Sequence, residues 1–445
     1  MAASDRILCK VLFPLPQAKL LAMNLLSVLV SGYHAVRYGD VGHNWHQLMK
    51  RMLITDIQED DSASRKRTVR YNAVLVLWFL LTMIRMCLTD LWIEGMDAQL
   101  GHTLSATGNI SKFLSMLVAF TLLECALYRM TCIRMNLTGD ISIMKQTVEQ
   151  IRSSRRIDST GHLTSRGWEG VDDQKVRMAR YLFGGAVVSY VVMVFSCVFI
   201  MTGTFALNVL SSETWLQICC WIFWYSQEAV GSVIIALDFV SFPSMWFLVA
   251  LNYRTDIVTL SDRVEQLAQL KDVGMGRIRA GQLLEEIRER YSDLTHDSLA
   301  VNRMSAPILF VLVLCMTPIF CLSLFVAAYS DNFFVAMLIP FAGWCVALFA
   351  SVLLALAADI TSKSEQLYHL LSAAAGRQCS ASLLSTRERL LLMQMMEHTS
   401  SEDQSLAMRM MDGQRYTSES FMNLVIETGL QYLLLITLNQ GIAFR

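Results

Sequence analysis

A chain of 445 residues that is 54% hydrophobic but only 17% charged, with mean hydropathy +0.42, is too apolar for a soluble globular domain, in which about a quarter of residues are charged. With 6 prolines and 22 glycines it is neither collagenous nor compositionally disordered, and a net charge of −1 leaves no basic surplus to neutralise the phosphates of nucleic acid. The composition is that of an all-α, multi-pass membrane protein.

Residues 1–69 read as a cytoplasmic N-terminal segment. Its stretch LLAMNLLSVLVSGYHAV (20–36) is short and broken by Asn24, Ser27 and His34, so we read it as an interfacial or re-entrant helix. The polar run 57–69 reads as a mobile linker. Seven stretches then reach the roughly 20 apolar residues needed to cross the hydrocarbon core: 70–95, 108–131, 178–206, 216–252, 304–329, 332–358 and 421–444. The fourth is too long for one straight crossing. Its first part, WLQICCWIFWYSQE, reads as a helix lying at or projecting beyond the outer face, with a kink at Pro243 below it. A second polar linker lies at 153–173.

Positive charge fixes the expected orientation, because loops rich in Lys and Arg stay in the cytoplasm. All but three of the 37 lysines and arginines fall before span one, in the loops between spans two and three, four and five, and six and seven, or at the span ends bordering those segments; the exceptions are Arg85, Lys112 and Arg445. The N-terminus is therefore expected inside and the C-terminus outside. The outer loops are short and the inner ones long. The segment 254–303 carries two amphipathic runs at helical spacing, and 359–420 carries two more, so long cytoplasmic helical extensions are expected below the membrane. The chain thus divides into spans one to four (70–253), the helical loop 254–303, spans five and six (304–358), the anchor helices 359–420 and the last span, 421–445.

The sequence holds no HExxH, GxSxG or Walker loop, no GxGxxG after a strand, and no recurring CxxC, so neither an enzyme, a cofactor nor a metal site is expected. Charges inside the bilayer are functional candidates by default. Arg85 and Asp238 sit near mid-bilayer and Glu124 a little lower, and a pair such as Arg85–Asp238 or Arg85–Glu124 would offset their burial. The outer half of the bundle gathers Trp221, Trp224, Tyr225, Gln227 and Glu228 on span four, with Trp92 and Glu94, Tyr190 and Thr202, and Phe333 and Phe334 nearby. Aromatics with a few directed polar groups describe a ligand pocket, and they equally describe an interfacial belt. Span seven carries Glu427, Thr428, Gln431, Thr437, Asn439 and Gln440. This polar stripe suits a pore lining, with Leu433, Ile436, Thr437 and Gln440 as the gate, or interhelical hydrogen bonding.

Seven spans with an inside N-terminus run opposite to the G-protein-coupled receptors, and the DRY and NPxxY patterns are absent. The arrangement resembles the insect chemoreceptor superfamily, gustatory receptors especially. Those receptors end in a last span with TY, five apolar residues and QF. Here Gln440 takes the glutamine position, Leu433 and Leu434 stand at the TY position, Leu435 to Asn439 fill the spacer, and Gly441 replaces the phenylalanine. The run THDSLAVNRMSAPILFVLVLC also looks similar to the family's fifth span. The resemblance implies a homotetramer or heterotetramer in the plasma membrane that forms a ligand-gated, non-selective channel for monovalent and divalent cations. It also implies a small-molecule tastant in an outward-facing pocket of each subunit, and a pore lined by the last span. A secondary transporter using Arg85, Glu124 and Asp238, an odorant-receptor-like channel subunit and a membrane scaffold are the competing readings.

Overall fold

The structure is a computed structural model that describes residues 62–92, 103–104, 111–148, 169–212, 214–270, 275–330, 333–381, 384–400 and 406–443. It is built from α1 (Ser62–Trp92), α2 (Ser111–Thr138), α3 (Glu169–Leu210), α4 (Trp215–Gln269), α5 (Met275–Tyr329), α6 (Phe333–Ala381), α7 (Thr386–Ser400) and α8 (Ser418–Ala443). All except α7 contain a stretch long and apolar enough to cross a membrane, seven among the described residues. Helix is the form the physics requires of such stretches, because hydrocarbon offers no partner to a backbone amide or carbonyl.

The helices run past the apolar stretches at one end. At about 1.5 Å per residue, the 55 residues of α4 reach roughly 80 Å, well over twice the thickness of the hydrocarbon core. The turns between α3 and α4 and between α5 and α6 mark the upper end of the bundle, and the extensions of α4, α5 and α6 form its lower end. The upper α3–α4 turn is closed locally. Ser211 and Ser212 hydroxyls donate to the Asn208 carbonyl, and Thr214 caps α4 in a reciprocal box with Gln217.

Three sequence expectations change here. Residues 62–69, read as linker, are the first two turns of α1, and α3 likewise begins at Glu169 inside the second supposed linker. The start of the fourth stretch is no separate surface helix, since α4 runs unbroken from Trp215 through Pro243 to Gln269. Pro243 is tolerated because α4 is buried on all sides from Asp238 to Trp246, where neighbouring helices rather than lipid surround the freed carbonyl. The 20–36 stretch lies outside the described residues.

The core runs along α4 from Phe239 to Ala268 and along α5 from Ala280 to Ile319, flanked by α2 and α6. Trp246, fully buried, donates its indole N–H to Ser305 on α5 at 2.7 Å. At the lower end, residues 406–417 form a tight hairpin between α7 and α8. Arg409 and Arg415 pair across it, and Gly413 takes the turn at φ 84°, a conformation that favours glycine. The hairpin is clamped from three helices. Tyr253 on α4 donates to the Leu406 carbonyl at 3.1 Å. Asn302 on α5 both donates to the Ala407 carbonyl and accepts from the Arg409 amide, each at 3.1 Å. Thr361 on α6 accepts from the Met408 amide at 3.3 Å. Arg254 on α4 and Asp359 on α6 form an ion pair beside it. Replacing Asn302 with Ala removes both backbone partners and is expected to cost about 1–3 kcal/mol. A melting curve of the detergent-solubilised protein that matches wild type would show that this clamp carries nothing.

Candidate ligand pocket and pore helix

The six helices α1–α6 enclose a cavity of about 250 Å³ in the upper half of the bundle. Each supplies a wall: Trp78 and Arg85 from α1, Val118 and Thr121 from α2, Met193 and Ile200 from α3, Gln227 and Glu228 from α4, Ile319 from α5 and Ile339 from α6. Two glycines let the walls close. A Cβ on Gly231 would strike the Trp78 ring, and one on Gly343 would strike Ser323. Thr103 and Leu104, from the segment joining α1 to α2, complete the lining.

A chain of polar contacts crosses the top of the cavity. Arg85 Nη2 donates to Glu228 Oε1 at 2.7 Å, and the Thr103 hydroxyl donates to the same oxygen at 3.0 Å. Trp224 backs the guanidinium, whose carbon lies 4.3 Å from the ring centroid. The Thr103 carbonyl accepts from Tyr225 Oη at 2.8 Å and from Asn208 Nδ2 at 3.0 Å, and Asn208 also donates to Tyr225 Oη. The segment at Thr103 is thereby fastened to both α3 and α4 at the mouth of the cavity. Arg85 Nη1 is buried and has no hydrogen-bond partner among the described residues.

The residues expected from sequence to hold a ligand divide into three groups. Glu228 and Gln227 line the cavity. Trp221 and Tyr225 do not: they are buried in a separate cluster with Met201, Phe205 and Val209. Trp224 braces Arg85 from outside the walls, while Tyr190 and Thr202 are not among the wall residues. The side chains of Trp92, Phe333 and Phe334, and the whole of Glu94, lie outside the described residues. Sequence reasoning missed Trp78, Thr103, Gly231 and Gly343. Gly231, set in a helix otherwise rich in bulky side chains, carried a usable signal.

The intramembrane charges pair differently from the expected Arg85–Asp238 or Arg85–Glu124. Arg85 meets Glu228. Asp238 is held by Arg129, whose Nε lies 2.8 Å from Oδ2 and whose Nη2 contacts Oδ1; both side chains are essentially fully buried. Arg129 Nη1 also donates to Asn72 on α1 at 2.8 Å, and Asn72 donates to the Thr68 carbonyl, so one arginine ties α1, α2 and α4 together. Glu124 accepts from Tyr128 one turn below it, at 2.6 Å. Among the described residues no group of three or more His, Cys, Asp or Glu side chains could hold a metal ion.

α8 stands apart from this bundle. It touches α5 and α6 along one line, where Thr428 meets Thr317 at 3.1 Å and Phe421 and Leu424 pack against the core. None of the described residues of α8 is buried, and Asn423, Glu427, Gln431, Leu433 and Thr437 are exposed. Ile436 is half-buried at the flank of the packed line, and the side chain of Gln440 lies outside the described residues.

No protein-family model matches the chain, and no curated protein matches it. Among solved structures the chain is similar to an insect olfactory receptor from Machilis hrabei in complex with eugenol, with a TM-score of 0.55 and 9% identity over 92% of this chain and 99% of that one. The likeness extends over the whole bundle, so the chain has the fold of that receptor.

Proposed function

We propose that the chain is a subunit of a ligand-gated, non-selective cation channel of the insect chemoreceptor type. Four copies, identical or related, surround a central pore lined by α8. The upper end of the bundle faces outward across the plasma membrane and the lower end lies in the cytoplasm, as the distribution of Lys and Arg supports. A small molecule entering the cavity opens the pore by binding the open state more tightly. The register of Gln440 in the last span supports a taste receptor opened by a tastant; the fold shared with an olfactory receptor supports an odorant-receptor-like subunit.

The observation that carries the proposal is α8. Its exposed side chains include Asn423, Glu427 and Gln431, each about one turn from the next. A carboxylate facing lipid at depth costs a few kcal/mol, so such a helix needs water or another subunit beside it. A ring of α8 helices about a water-filled axis supplies both. The paired state of Arg85 and Asp238 also occupies two of the three charges that a transporter reading would use for coupling. Recording membrane currents from cells that express the chain tests this. Ile436→Ala and Gln440→Ala are each expected to change basal conductance, and currents unaltered by either would refute the gate assignment.

A further inference from the structure

We propose that the cavity selects a neutral, mostly apolar small molecule that carries a hydrogen-bond acceptor, and that Arg85 reads that acceptor. The inference rests on the ligand-gated reading of the cavity and adds to it the chemistry of what enters.

The argument is one of elimination by charge and hydrogen bonding. From sequence, Glu228 among aromatics admits an amine, an alkaloid or a sugar. In the structure Glu228 Oε1 already accepts from both Arg85 and Thr103. An ammonium ligand would have to compete with a guanidinium 2.7 Å away and would itself sit beside that positive charge. A ligand carboxylate meets an arginine whose charge is already balanced. A sugar carries a ring of hydroxyls into walls made largely of residues such as Trp78, Val118, Met193 and Ile339, where most of them would go unpaired.

Among the described residues, the polar atom of the lining that is buried without a partner is a donor. Arg85 lines the cavity, its Nη2 is engaged by Glu228 and its guanidinium is braced by Trp224 at 4.3 Å, yet Nη1 is buried without a partner among the described residues. A ketone, ether or phenol oxygen would satisfy it without breaking the ion pair, while the apolar body of the ligand fills the 250 Å³ against the hydrophobic walls. Because the guanidinium is held in place before the ligand arrives, little orientational freedom is lost on binding.

Calorimetric titration of the purified, detergent-solubilised full chain tests this with three molecules of one skeleton: acetophenone, ethylbenzene and 1-phenylethylammonium. Glucose and benzoate serve as fourth and fifth probes. Acetophenone is expected to bind roughly tenfold more tightly than ethylbenzene or the ammonium, the usual worth of a hydrogen bond to a charged donor, and glucose not at all. Arg85→Gln is expected to abolish the acetophenone advantage and, by freeing Glu228, to favour the ammonium. Glu228→Gln is expected to keep the advantage and to gain binding of benzoate. Equal binding of acetophenone and ethylbenzene by the wild type, tighter binding of the ammonium, or binding of none of the probes would overturn the inference, whether or not the variants fold. Basal currents measured without ligand keep the two proposals separable. If the α8 variants change the current while the ranking fails, only the ligand chemistry is wrong. If the ranking holds while the α8 variants do nothing, the pore assignment is wrong.

Discussion

Replacing Arg129 with Met while Asp238 remains is expected to cost about 3–5 kcal/mol, enough to lower the melting temperature sharply or to prevent the protein from reaching the membrane folded. The reason is an asymmetry between making and breaking a buried pair. Both side chains are essentially shielded from solvent, with fractional exposures of 2% and 0%. Together they satisfy each other, and the arginine also satisfies Asn72. Removal of the arginine strands a carboxylate in a medium that cannot solvate it. The double variant Arg129→Met and Asp238→Leu removes both charges and is expected to recover most of the loss, because a pair replaced by apolar groups of similar volume is often neutral. Melting curves of wild type, both single variants and the double variant form a complete cycle. Single variants that melt like wild type would show that the pair does not bind α1, α2 and α4 together.

Glu427→Gln is expected to weaken the preference for cations over anions on the order of tenfold, read as a shift of the reversal potential in asymmetric salt. Glu427 is exposed on α8 and has no described partner close enough for an ion pair. In a tetramer it would recur four times about the axis. A carboxylate about 7 Å from a permeant ion in water is worth on the order of half a kcal/mol, so four together favour a cation by about 2 kcal/mol before salt screens them. A reversal potential unchanged by the substitution would place Glu427 away from the ion path, against a neighbouring subunit instead.

Span number, helical class and the long lower extensions were legible because each follows from a strong periodic or compositional signal: apolar runs, i,i+4 charge pairs and clustered Lys and Arg. The partners of the buried charges were not. Arg129 lies at the lower end of α2, where a basic residue reads as part of a positively charged loop, and its partner Asp238 is 109 positions away. No local pattern connects them. The Thr103 clasp was hidden for a similar reason, since a lone threonine in a short connector carries no periodic signal. The hairpin at 406–417 could have been found. Asp412–Gly413 is a turn pair, but the helical character of its flanks masked it. The aromatics at the start of α4 were visible, and their roles were not: within two turns Trp221 and Tyr225 pack, Trp224 braces, and Gln227 and Glu228 reach the cavity. Helical spacing separates faces, and only the neighbouring helices decide which face meets a void.

The most direct test of the pore assignment is substituted-cysteine modification of the purified protein in planar bilayers. A positively charged thiol reagent should block unitary currents in Leu433→Cys and Thr437→Cys, which lie on the open side of α8, and leave Thr428→Cys conducting, because Thr428 packs against α5. The wild type, with Cys87, Cys219 and Cys345 already exposed, sets the baseline. Unitary currents blocked only in the first two would place α8 around the ion path. Folded oligomer that passes no unitary current, or block at all three positions alike, would contradict it.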